Sequence, residues 1–282
     1  MPADTAEPTE PSIVALLADV DGTLITKEKK LTPRAIEAVK HLRERGVVFC
    51  ITSGRPPCGL RMFVEPLELT IAMAAFNGGI IVRPDLSVID ERRLPEDVAL
   101  QVIKTLREHQ LDTWVFGPID WYVTDPEGTR VDRETSTIQR APVVVTRPEQ
   151  VLDKAIKIVG VSMNLEAVAS CEQAVQSALG TRVSAARSQP YYLDVTHPDA
   201  NKGAVVERLA RYLKVPAARI ATIGDQQNDV MMFERSGLSI AMGNASPEVQ
   251  RQADFVTTSY GEEGFANAVE RVVLPRSQGA RP

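Results

Sequence analysis

The chain is poor in several things, and each shortage narrows what it can be. Its 282 residues include three cysteines, Cys50, Cys58 and Cys171, too few and too scattered for a disulfide framework or a zinc site. That usage points to a reducing compartment. No apolar run approaches the roughly 20 residues needed to cross a bilayer. Basic charge is not in excess: 32 Lys and Arg against 37 Asp and Glu leave a net charge of −5. This balance gives no support to a nucleic-acid or polyanion surface. No internal repeat is present. The first stretch, MPADTAEPTEPS, lacks the basic start of a signal peptide and is acidic and proline-rich instead. Residues 1–12 and the tail PRSQGARP (275–282) are expected to be disordered, and the protein cytoplasmic.

What is present is an ordinary globular composition, 44% hydrophobic and 24% charged, in a chain long enough for one large or two modest cores. From residue 13 short apolar runs alternate with amphipathic segments, the pattern of an α/β domain with a parallel sheet. Thr32 is placed as an N-cap, Pro33 as the first helical residue, and Gly46 as the stop of that helix. Strands are expected at 13–18, 47–51 and 71–76. Near Arg83-Pro84-Asp85 the texture changes. Residues 86–187 alternate short strands (111–116, 121–124, 156–163, 182–187) with helices near 95–109 and 166–179. This reads as an inserted α+β domain. Parallel-sheet texture is expected to resume at Tyr191–Val195, followed by a helix from Lys202 to Leu213. Strands at 220–223 and 238–242 then alternate with further helices, and a last strand covers 255–257.

The most informative stretch is ADVDGTLITKEKKLTP, residues 18–33. An apolar strand ends by placing Asp19 and Asp21 two residues apart, just before Gly22. Carboxylates at that spacing lie on the same side of an extended chain and repel, so a metal ion, a basic side chain or a shared proton must compensate. Three other polar clusters also follow strands: Ser53-Gly54-Arg55, Asn77-Gly78, and Gly224-Asp225-Gln226-Gln227-Asn228-Asp229. In open parallel sheets the ligand crevice lies outside the carboxyl ends of the strands, where distant segments converge. Lys202, opening a helix, is the natural cation to join them. Such an oxygen-rich set suits Mg²⁺ and a phosphoryl group.

Taken in order, Asp19-Val-Asp21-Gly22-Thr23-Leu24, Ser53-Gly54-Arg55, Lys202-Gly203 and Gly224-Asp225-x-x-Asn228-Asp229 resemble the four motifs of the haloacid-dehalogenase superfamily. The large insert between the second and third motifs resembles the α/β cap of the Cof-type (IIB) phosphatases, as do Phe76-Asn77-Gly78-Gly79 and Ala241-Met242-Gly243-Asn244-Ala245. The resemblance spans residues 13–272, with the cap matched by position and texture. It implies a Rossmann-like parallel-sheet core (13–85 and 188–274), an inserted specificity cap (86–187), and a Mg²⁺-dependent phosphatase of a small phosphorylated metabolite. It also implies roles. Asp19 is the nucleophile, forming an aspartyl-phosphate. Asp21 is general acid and then base, its backbone carbonyl also on the metal. Ser53, Gly54, Lys202 and Asn228 bind phosphate. Asp19, Asp21, Asp225 and Asp229 form the metal site, Asp229 orienting a water or Lys202. Arg55, Asn77 and Gly78 are candidates for substrate contact.

Other readings stand beside this one. Asp21-Gly22 alone is a turn signal, and Asp225 and Asp229 alone are helix caps. His197 is read as a loop histidine, Cys50 as a buried small hydrophobe, and Trp114, Trp121 and Tyr122 as core. A phosphomutase, phosphomannomutases included, would use the same aspartyl-phosphate but return it to sugar. A non-catalytic phosphometabolite binder would gain nothing from a nucleophile beside an acid. A dehalogenase needs neither a metal nor a leaving-group acid. The expected partner is a small phosphorylated substrate, with no nucleic acid and no membrane, and nothing specifies an oligomeric state.

Overall fold

In the computed structural model, residues 12–277 are described. Most of the two expected tails lies outside them. Residues 275–277, assigned to a tail from sequence, instead end a 3₁₀ turn over Leu274–Arg276, and Ser277 bridges Ile13. The chain divides into two compact units, one of residues up to Ile51 and from Lys202 onward, the other of Thr52–Asn201.

In chain order the strands are β1 (Ala15–Asp19), β2 (Val48–Thr52), β3 (Met73–Ala75), β4 (Ile80–Val82), β5 (Val88–Glu91), β6 (Asp112–Phe116) and β7 (Trp121–Val123). They continue with β8 (Val143–Val144), β9 (Lys157–Val161), β10 (Ser184–Gln189), β11 (Tyr192–Thr196), β12 (Ile220–Gly224), β13 (Leu238–Ala241) and β14 (Phe255–Val256).

The first unit is built on the order β14-β13-β12-β1-β2. β1 pairs parallel with β12, β12 with β13, and β13 with β14. Every residue of β1 and of β12 is buried. A parallel strand covered on both faces needs an apolar run rather than alternation, which is why ALLAD reads as continuous. The Pro33–Glu44 helix begins as expected: the Thr32 hydroxyl accepts from the Ala35 N–H at 3.1 Å, with Pro33 in the first turn. Ala35, Ala38, Val39 and Leu42 form its buried face, and Gly46 follows in the left-handed region (φ 71°). Fully burying a side chain such as Leu42 stabilises by about 1.5–3 kcal/mol.

The second unit holds a six-stranded sheet in the order β10-β11-β9-β6-β7-β8. All its pairs are antiparallel except β7 with β8. The Glu96–Glu108 and Leu165–Leu179 helices cover one face, where Val98, Val102, Leu106, Val168, Cys171 and Val175 share a core with Val115, Ile158, Leu193 and Val195. Alternate residues make the other face aromatic. Trp114 meets Trp121 and Tyr192 at ring-centroid separations of 5.3 Å, and Phe116 stacks on Trp121 at 5.6 Å. The tryptophans are therefore core, as read, together with Tyr122. In the same unit Thr52 pairs with Ala74, and β3, β4 and β5 form antiparallel ladders.

One expectation is corrected. Tyr191–Val195 does not return the chain to a parallel sheet, because β11 lies between β9 and β10 and is antiparallel to both. Leu193 and Val195 are buried while Tyr192 and Asp194 are only partly so, the two-period pattern of an antiparallel strand. The parallel sheet is taken up again only at β12, after the Lys202–Leu213 helix.

Candidate active site

The parallel pairing of β1 and β12 sets Ala18 opposite Ile223, so both chains leave the sheet at the same end. Asp19 is the last residue of β1, and Asp225 follows β12. Beyond Asp19 the chain folds tightly around one carbonyl. The N–H groups of Leu24 and Ile25 both donate to Val20 O, at 3.0 and 3.1 Å. Gly22 makes that turn at φ 89°, and a Cβ there would lie 2.4 Å from Asp225 Oδ2. Both the backbone and the packing therefore demand glycine.

Lys202 starts its helix with a fully buried side chain. Its Nζ donates to Asp19 Oδ1 at 2.6 Å and to Asp229 Oδ1 at 2.5 Å. Asp229 Oδ2 accepts the N–H groups of Asp225 and Gln226, at 2.9 and 2.8 Å. Asp229 thus caps the Gln227–Asp229 turn and holds the lysine at the same time. Asp225 Oδ1 accepts from the Thr23 hydroxyl at 3.4 Å, and its Oδ2 accepts from Gln226 Nε2 at 2.7 Å and Asn244 Nδ2 at 3.2 Å.

The charges do not balance within this group. Three buried carboxylates face one ammonium, and one ligand atom from each of Asp19, Asp225 and Asp229 lies within 4.8 Å of the others. Burial pushes the Asp19 carboxyl up, to about 8, against the pull of Lys202 and with Asp229 and Asp225 adding to the rise. Burial likewise pushes Asp225 up to about 6, partly offset by the Gln226 hydrogen bond and increased by Asp229. Burial would lower Lys202, but Asp19 and Asp229 reverse this and hold the ammonium above its usual range. The other oxygen of Asp19, Oδ2, is buried with no hydrogen-bond partner. A buried, unpartnered carboxylate oxygen is costly unless a cation or a reacting group completes it. The donor set fits a hard, oxygen-seeking cation such as Mg²⁺.

Asp21 lies outside this buried group. It is partly exposed, bridges Ile25, and accepts from Lys29 Nζ at 2.5 Å. Asn228 is exposed in the turn just before Asp229. The remaining candidates gather in the second unit. Ser53 is buried. Its hydroxyl accepts from the Arg55 N–H at 3.1 Å and its carbonyl from the Asn77 N–H at 2.8 Å. The Asn77 side chain lies 3.6 Å from where a Gly54 Cβ would be. Arg55 is buried, donating to Gly59 O at 3.3 Å beside the Phe63 ring. Asn77 and Gly78 both have positive φ, 56° and 97°. The structure thus brings Asp19, Lys202, Asp225 and Asp229 together in one unit, and Ser53, Gly54, Arg55, Asn77 and Gly78 together in the other.

Sequence reasoning missed Lys29, Thr23, Gln226 and Asn244 as members of the site. Asn244 stood in a run with family resemblance but carried no role. His197 takes a turn contact, its Nδ1 accepting from the Asp199 N–H at 3.1 Å. Cys50 is a buried thiol pushed up to about 12 by that burial, consistent with a packing role.

A profile of the haloacid dehalogenase-like hydrolases matches residues 16–269. The chain belongs to this family. Within the family it is of the Cof type. A provisionally named phosphatase of Haemophilus influenzae is 30% identical over 262 residues, covering 91% of this chain and 97% of that protein. A 5-amino-6-(5-phospho-D-ribitylamino)uracil phosphatase of Bacillus subtilis is 26% identical, covering 92% and 96% of the two chains. The crystal structure of a haloacid dehalogenase-like hydrolase from Bacteroides thetaiotaomicron shares the fold with a TM-score of 0.84 at 24% identity, over 92% of this chain and 99% of that one.

Proposed function

We propose that this hydrolase is a Mg²⁺-dependent phosphatase that cleaves a small phosphorylated metabolite, a sugar phosphate or similar ester, through an aspartyl-phosphate on Asp19. The observation that carries the proposal is the state of Asp19: one oxygen held by Lys202, the other buried and unpartnered, beside two further carboxylates. A nucleophile needs a fixed position and an oxygen not committed to other bonds. The relatives named as phosphatases support the same reading, one of them named for a phosphorylated ribityl compound.

Asp19, the backbone carbonyl of Asp21 and Asp225 would hold the cation. Bound there, Mg²⁺ would offset the charge of the carboxylates and of the phosphoryl group. Asp229 already gives both oxygens to Lys202 and to backbone N–H groups, so it acts by fixing the lysine and the 225–226 turn. In the first step an Asp19 oxygen attacks phosphorus, an O–P bond forms, and the ester P–O bond breaks. Asp21 gives its proton to the departing oxygen. In the second step water attacks phosphorus and passes a proton to Asp21, and the Asp19–phosphorus bond breaks to release phosphate. Lys202 holds Asp19 in line and faces charge on the transferring group. Ser53, Gly54 and Asn228 as phosphate binders, and residues 86–187 as the specificity cap, belong to this proposal through the resemblance.

The test is release of inorganic phosphate from a panel of sugar phosphates and from p-nitrophenyl phosphate. Activity should vanish in excess EDTA and return with Mg²⁺, while Ca²⁺, with its looser and higher coordination, should inhibit. Full activity in excess EDTA would overturn the metal dependence. Isomerised sugar phosphate without free phosphate would make the enzyme a mutase.

A further inference from the structure

The loop after β13 reaches back to the site through one side chain. Asn244 Nδ2 donates to Gly22 O at 3.0 Å and to Asp225 Oδ2 at 3.2 Å. Its Oδ1 accepts from the Tyr260 backbone N–H at 3.0 Å. A backbone N–H can only donate, so this bond sets which end of the amide is which. A flipped amide would press Oδ1 against a carbonyl and a carboxylate, acceptor against acceptor, and leave the Tyr260 N–H facing an NH₂. Asn244 therefore has one satisfied orientation, and it points a donor at Asp225.

The loop itself is held. Gly243 N–H donates to Thr258 O at 3.1 Å, and a Cβ on Gly243 would lie 2.7 Å from Ser259 N. Gln250 Nε2 donates to the carbonyls on either side of Asn244, those of Gly243 and Ala245, at 3.2 and 3.0 Å. The amide is thus mounted on a braced turn. It ties together two segments 203 residues or so apart in sequence, the turn after β1 and the carboxylate after β12.

We infer that Asn244 is a positioning residue for the cation site, holding the Asp225 carboxylate and the Asp21–Gly22 turn in one fixed relation. The inference rests on the proposed Mg²⁺ site. Groups that hydrogen-bond a ligating carboxylate orient it, and losing such a group typically weakens metal binding about 10–100-fold. Asn244 serves both the side chain of Asp225 and the peptide next to the Asp21 carbonyl, so its loss disturbs two ligands at once. Gln226 and Thr23 remain on Asp225 and keep the site assembled, if less well ordered.

The probe is Mn²⁺, whose free concentration is read directly by electron paramagnetic resonance without any turnover. Wild type, Asp225→Asn, Asn244→Ala and Asn244→Ser are titrated with it, with circular dichroism and thermal unfolding on the metal-free proteins. Serine keeps a small polar side chain but is too short to reach both acceptors, and serves if alanine fails to fold. The expected result is a Mn²⁺ dissociation constant raised about tenfold or more in a folded Asn244 variant. If wild type and Asp225→Asn bind Mn²⁺ alike, the cation site itself is wrong. If Asp225→Asn loses binding while the Asn244 variant binds as wild type does, whatever its unfolding temperature, Asn244 is a structural residue and the inference falls.

Discussion

The two units of this chain handle their buried lysines differently. In the second unit the buried lysine, Lys157, pairs with Asp194 at 3.2 Å and rests against the Phe116 ring, and the Glu134 carboxyl, pushed up by burial, lies in the field of both. In the first unit one buried lysine faces two carboxylates directly and a third close by, and an oxygen of Asp19 has no partner. A protein that needed only stability would not keep such an arrangement, because an uncompensated buried charge costs several kcal/mol. The imbalance marks the place where something else is meant to bind. The sheets differ in the same sense. The antiparallel sheet spends both faces on packing, helices on one and aromatic rings on the other. The parallel sheet buries its central strands β1, β12 and β13 completely, leaves β14 exposed at its edge, and places its polar clusters at the strand ends.

Substitutions in the two units should therefore separate cleanly. The largest effect is expected from Asp19→Asn, which keeps shape but replaces the proposed nucleophile with an amide. Steady-state phosphate release should fall more than about 10⁴-fold, and retention of a tenth of the activity would break the contrast. Lys202→Ala comes next. It should lower kcat on the order of 10²-fold or more at saturating Mg²⁺, by removing a cation from the transferring group. Kinetics within a few-fold of wild type would reduce Lys202 to a structural counter-ion. Trp121→Ala should act on stability alone. It removes a fully buried ring packed on Trp114 and Phe116, at a cost of about 3–5 kcal/mol in denaturant unfolding. Below its unfolding temperature, Mn²⁺ affinity should match wild type, and a tenfold change would show that the two kinds of buried polarity are not independent.

The same contrast explains what could be read in the sequence. Asp19, Lys202, Asp225 and Asp229 were legible as one group because each sits within a few residues of a strand end or helix start, whereas Asp21, read with them, lies outside that buried group. Local patterns carry that information: an apolar run that stops, a glycine that turns, a helix that opens. Asn244 and Thr23 were not legible as members of the site, since their roles depend on how closely two distant turns approach, which no local pattern encodes. Lys29 was hidden in a run of charge, Lys27-Glu28-Lys29-Lys30, whose members look alike until one is seen on Asp21. In the second unit the helix Val131–Ile138 escaped notice because VDRETSTI is rich in β-branched and short polar residues, weak helix formers. The β4–β5 ladders escaped because both strands are short. Tyr191–Val195 was misplaced since a five-residue run of mixed polarity fits either kind of sheet until its neighbours are known.

The central claim is that Asp19 becomes phosphorylated and Asp21 moves the protons, and Asp21→Asn with two substrates tests it most directly. Asparagine keeps the shape but can neither protonate an alkoxide nor take a proton from water. With a sugar phosphate that wild type hydrolyses, the first step fails, and turnover should fall roughly 10²–10⁴-fold. With p-nitrophenyl phosphate the leaving group needs little protonation, so Asp19 should still be phosphorylated while hydrolysis of the intermediate stalls. The account predicts a burst of nitrophenol near one equivalent per enzyme and a phosphoenzyme trapped on acid quench. Equal losses on both substrates, with no burst and no trapped intermediate, would contradict it.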